Sequence, residues 1–273
     1  MIAHGSAFPV AKLALNNSVP PILMASLRMF LVLIILIPFW RFRIPSKKFF
    51  KPLLIFSFSM GVLVYVFMNL SLYHSTIISP IILGSQLAIP FGILASAFIL
   101  KENISKNKWL LILASFLGIF IIFFDPKLNE NYLGLFFASL MALFFGLAQV
   151  YSRHLKELPT SMINASTGIF GFSLLLILSI LFEGNIYKNI EQINIYSWIL
   201  ISYQAVIVSL CAHLLMFYLY KFYTVGQIFP FYSLFPIFGI ILSYITFGEV
   251  PTLMFILGGI IVISSVFLLH KIK

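Results

Sequence analysis

Stretches such as "LVLIILIPFW" and "LGGIIVISSVFLL" continue in apolar residues with no charge and no alternation. Similar runs recur along the chain at about 16–25 residues, long enough to cross a hydrocarbon core of about 30 Å at ~1.5 Å per residue. Inside hydrocarbon a single segment satisfies its own backbone only as a helix, and a membrane β-barrel would show alternating segments of about ten residues instead. The interruptions leave ten candidate spans: 1–15, 21–40, 52–73, 77–100, 109–124, 132–152, 160–182, 196–220, 226–247 and 252–269. The breaks between them are short and hold turn formers, as in "NNSVPP", "DPKLNEN" and "GEVPT". Composition agrees, since 62% hydrophobic residues and a mean hydropathy of +1.10 exceed what a soluble core can hide. The expected fold class is therefore all-α integral membrane, with about ten transmembrane helices. No soluble domain fits between the spans, and Met1 is not followed by the basic region of a cleaved signal peptide. Cys211 is the single cysteine, so no intrachain disulfide forms.

Basic residues favour the cytoplasmic side of short loops. With the N-terminus inside, the cytoplasmic segments hold Arg41, Arg43, Lys47, Lys48, Lys51, Lys101, Lys106, Lys108, Arg153, Lys156, Lys221, Lys271 and Lys273. The opposite loops hold only Lys127 and Lys188, with Asp125, Glu130, Glu183, Glu191 and Glu249. Both termini are thus expected in the cytoplasm, and the net charge of +10 reads as topology, with nucleic acid excluded as a partner.

The chain also repeats itself. Phe91-Gly92, Ser96 and Glu102 recur 147 residues later as Phe238-Gly239, Ser243 and Glu249, and Leu72-Tyr73 recurs as Leu219-Tyr220. "GSAFPVAK" (Gly5 to Lys12) resembles "GLAQVYSR" (Gly146 to Arg153), with a glycine and a base seven residues apart in each. Five crossings separate the copies, so they face opposite sides, and the lysines around Glu102 mark the cytoplasmic one. The expected organisation is two inverted five-helix repeats, residues 1–125 and 132–270.

The "GSAFPVAKLAL" opening, "SLRMFLVLIILI", "NLSLYHSTIISPIILG" and the paired "FG…S…E" motifs resemble the drug/metabolite transporter superfamily in its EamA-like branch. The resemblance implies a ten-helix carrier in a cytoplasmic (bacterial inner) membrane, moving small metabolites through a central cavity by alternating access. Set against that family, only "MIAH" precedes Gly5, which leads us to expect a truncated first helix or a misassigned start. "KEN" also stands at Glu102 where the family pattern is Gly-Glu-Arg, whereas Glu249 keeps Gly248.

Candidate site residues follow from what is costly in hydrocarbon. Arg28 lies roughly 12 Å into the second span, where an arginine costs about 2.5–3.5 kcal/mol. It is read either as an anion-binding group or as a structural residue, bonded to backbone carbonyls at a helix break or partly snorkelling. Tyr65, Asn69, Gln86, Gln149, His213 and Tyr232 lie deep in spans and are candidate substrate-binding residues, each equally at home as an interhelical hydrogen bond. Gln204 belongs with them, and Lys12 is close enough to a helix end to snorkel. Glu102 and Glu249 are candidate helix caps or gates at the start of the fifth and tenth spans. No Walker sequence, metalloprotease or serine-hydrolase motif, metal-ligand cluster or cofactor signature is present, so an enzyme, a metal site and a cofactor are not expected. The expected function is a secondary transporter of a small anionic or zwitterionic metabolite such as an amino acid. The alternatives are an exporter of cationic or aromatic drugs and a non-transporting membrane assembly protein. The partners are a small-molecule substrate, the lipid bilayer and, as an open alternative, a second copy of the chain.

Overall fold

A computed structural model describes residues 1–36, 45–128, 131–212, 215 and 234–271. The described secondary structure is helical. Helix α1 runs Ile2–Gly5 and, past Ser6, Ala7–Asn16. It is followed by α2 (Pro21–Leu36), α3 (Lys47–Tyr73), α4 (Ser79–Ile99), α5 (Lys106–Phe123), α6 (Tyr132–Leu155), α7 (Thr160–Phe182), α8 (Ile195–Cys211), α9 (Phe235–Phe247) and α10 (Leu253–Lys271). Five of these, α3 to α7, are long and apolar enough to cross a membrane, and α2, α8, α9 and α10 are apolar helices with shorter apolar stretches among the described residues.

Several helices outrun their apolar stretches. α3 starts at Lys47 rather than Pro52, α5 at Lys106 rather than Trp109, and α6 continues past Ser152 to Leu155. Lysine and arginine are good helix formers, so a helix continues into the polar boundary after hydrophobicity stops. The α9–α10 break is sharper: Gly248 takes a left-handed φ of 69° and donates its N–H to Tyr244 O, a glycine C-cap.

Packing repeats as the sequence does. α2 lies on α7, α4 on α9 and α5 on α10, each helix against its own repeat counterpart. The contacts of α4 with α6, α3 with α6 and α3 with α7 recur as α9 with α1, α8 with α1 and α8 with α2. This is the pattern of a two-fold axis relating the halves.

The glycines show the symmetry at atomic scale. A Cβ on Gly146 would stand 2.6 Å from Gly92 N and 2.7 Å from Ala88 O, while one on Gly5 would stand 2.8 Å from both Gly239 N and Phe235 O. Gly239 and Phe235 are the residues 147 positions after Gly92 and Ala88. The same backbone atoms therefore meet in both halves, and only glycine lets the helices approach so closely. The core formed around these crossings includes Phe8, Ala11, Leu72, Ile82, Ala138 and Phe235. Large exposed apolar residues on α5 and α10, among them Leu113, Leu117, Phe120, Leu257 and Ile260, cover the outside of that pair.

Candidate functional site

Arg28 is only 6% exposed in the middle of α2. Its Nε donates to Ser209 Oγ on α8 at 2.9 Å, and its guanidinium carbon stands 4.6 Å from the centre of the Tyr65 ring on α3. Ser209 Oγ donates in turn to Gln204 O at 3.1 Å. Among the described residues no carboxylate pairs with Arg28, and neither Nη makes a hydrogen bond. A desolvated cation over a tyrosine face gains about 2 kcal/mol, which offsets part of the cost of an arginine in hydrocarbon. Among the described residues the remaining N–H donors are left over, and such a fork suits a carboxylate or phosphate in bidentate fashion.

Two irregular helical segments supply the partners of Arg28. α3 contains a π-helical stretch at Ser59–Leu63, just before Tyr65, and α8 contains one at Gln204–Cys211, which includes Ser209. Shifted by 147 residues, the first falls inside the second. The wider turn explains why the Ser209 hydroxyl reaches the carbonyl five residues back.

The other predicted residues are placed differently. Asn69 is buried and donates to Pro21 O at 2.8 Å, tying α3 to the start of α2. Gln86 is buried in α4 and Gln149 is exposed on α6. His213 and Tyr232 lie outside the described residues. Gln204 is buried and donates to Ala7 O, while its Oε1 has no partner among the described residues. Beside it Tyr203 shares a hydrogen bond of 2.9 Å with Ser6 of α1. Arg28 and Tyr65 are thus brought together, and Ser209 joins them with no sequence signal to mark it.

The two ends of the bundle carry different chemistry. At the end holding the α2–α3, α4–α5 and α6–α7 connections, Arg153 pairs with Glu102 and Lys48 with Glu157, each at 2.7 Å and each solvent-exposed. At the other end carboxylates bind backbone. Glu249 accepts the N–H groups of Ile78 at 2.7 Å and Ser79 at 2.9 Å, and also the Ser79 hydroxyl. Glu183 accepts those of Ile22 and Leu23 at 2.6 and 2.8 Å. Burial pushes the Glu183 carboxyl above the usual carboxylate range, while the Ile22 amide, the Ser179 hydroxyl and the Leu23 amide hold it back.

This corrects the expectation that Glu102 and Glu249 cap the helices they precede. Ser105 caps α5, accepting Lys108 N–H, and Thr252 accepts Phe255 N–H at the start of α10. Serine and threonine close to their own first turn reach its amides, whereas the longer glutamate reaches another element. Glu249 accordingly caps α4, and Glu102 pairs with Arg153.

These features define an integral, multi-pass helical membrane protein of two repeats, with a buried cation at its polar centre. The chain belongs to the EamA-like transporter family, whose sequence profile matches residues 1–124 and again 132–270. It is thus a membrane transporter of the drug/metabolite type. A solved structure described only as "Crystal structure of protein" is similar over 97% of this chain and 93% of its own, with a TM-score of 0.61 and 17% identity, a likeness of fold alone. No curated protein sequence matches the chain.

Proposed function

We propose that the protein carries a small anionic or zwitterionic metabolite, of the amino-acid kind, across a bacterial cytoplasmic membrane by alternating access, with both termini in the cytoplasm. The observation that carries this reading is Arg28, buried between Tyr65 and Ser209 with both Nη groups unbonded among the described residues. A cation held in this way disfavours cationic solutes and receives a carboxylate through two parallel N–H bonds. The positive-inside distribution supports the orientation.

The test is saturable flux into proteoliposomes from a panel of carboxylates, zwitterions and lipophilic cations. Arg28→Lys, which keeps the charge and loses the planar fork, should reduce flux about tenfold through a raised KM, and Arg28→Ala should abolish it in protein of unchanged Tm. A preference for lipophilic cations, or normal anion flux by a stable Arg28→Ala protein, would overturn the proposal.

A further inference from the structure

The α3–α4 turn is held from three directions by residues that belong to neither of its helices. Lys12 of α1 donates to Leu72 O at 2.8 Å and Ser75 O at 2.6 Å, on the carbonyl-rich end of α3. Glu249, in the α9–α10 turn, accepts from Ile78 and Ser79 at the amide-rich start of α4. Asn131, ahead of α6, accepts Thr76 N–H at 2.7 Å and Ile77 N–H at 3.2 Å through its side-chain oxygen. Each charge meets the helix end whose dipole it complements, and the ties join both repeats across one mouth of the bundle. Lys12 is within electrostatic reach of Glu249, yet the two form no direct ion pair.

The repeat supplies the other half of the argument. Arg153 is the counterpart of Lys12 and Glu102 that of Glu249. At the opposite mouth this pair is in direct contact at 2.7 Å, with both side chains about half exposed. One molecule therefore displays the same base and acid in two arrangements: apart and bound to backbone at one mouth, together in solvent at the other. A static cap has no reason to differ so between equivalent positions.

We infer that Lys12 and Glu249 form a gate latch: bound to the α3–α4 turn they close that mouth, and on opening they release the turn and pair with each other as Arg153 and Glu102 do here. The exchange costs little, because the charges leave backbone partners for one another and for water instead of being stranded in hydrocarbon. It rests on the alternating-access reading above.

The test uses spin labels at Tyr73→Cys and Val250→Cys, exposed positions on the two sides of this mouth, in the full-length Cys211→Ala protein in liposomes. Glu249→Gln and Lys12→Met should each raise the ratio of long to short inter-label distances about tenfold, as expected for losing charge-assisted bonds. Combined, they should add little more, because either one opens the same latch. Lys12→Arg should keep the short distance. Unchanged distances in both single variants, with only a lowered Tm, would make the residues structural caps and overturn the latch. Flux of the unlabelled wild type is measured in the same liposomes. Its absence would count against the transport reading, whereas normal flux with unmoved distances would count against the latch alone.

Discussion

At the scale of single residues, position in the backbone matters as much as chemistry. Lys101 and Gly248 are repeat counterparts, 147 residues apart, and both adopt left-handed backbone, with φ of 56° and 69°. For a residue with a side chain that conformation costs about 1–2 kcal/mol, and glycine avoids it. Replacing Lys101 by glycine relieves the strain but adds about 0.4–1 kcal/mol of unfolded-state freedom. Lys101→Gly should therefore leave detergent Tm level or raise it by about 1–2 °C, and Gly248→Ala should lower it by several degrees. A fall for the first variant larger than for the second would show that the lysine side chain holds the turn. Arg28 belongs to this scale too. Its cost in hydrocarbon made it legible, but Ser209 and the Tyr65 face that receive it come from elements 181 and 37 positions away in sequence, and a serine among apolar residues carries no mark.

At the scale of elements, the crossings are set by small residues, and the two sides of one crossing are not equivalent. A Cβ on Gly146 would enter the backbone of α4, whereas one on Gly92 would meet Gly146 at 3.6 Å, an ordinary contact. Gly146→Ala should thus cost about 1–3 kcal/mol by forcing α4 and α6 apart, as should Gly5→Ala at the matching α1–α9 crossing. Gly92→Ala should cost nothing and gain slightly from helix propensity. Thermal unfolding in detergent measures all three, and equal losses at Gly92 and Gly146 would contradict the asymmetry. The π-helical stretches of α3 and α8 are the complementary device: they occupy equivalent positions, and one places Ser209 against Arg28.

For the whole molecule, one end of the bundle gathers Lys48, Glu102, Arg153 and Glu157, and the other gathers Lys12, Asp125, Glu183 and Glu249. Which end meets the cytoplasm is a matter of charge bias. In a Cys211→Ala background, Lys47→Cys should resist an impermeant maleimide applied to intact cells, and Lys188→Cys should react. The reverse pattern would invert the proposed orientation.

The amino-acid sequence by itself determined the class of fold, because hydrophobic run length and turn chemistry are local quantities and each apolar run must form a helix in hydrocarbon. It also carried the repeat, since two copies of one helix pattern keep the same residues at the same spacing. Its limits show at Glu249. Nothing near that residue in the chain tells that it caps α4 at Ile78 and Ser79, 171 and 170 positions earlier, instead of the α10 helix it precedes. Only the tertiary structure decided that, together with the partners of Arg28 and the different arrangements of the two base–acid pairs. Those contacts depend on which helix ends the packing brings together, and local periodicity holds no record of that choice.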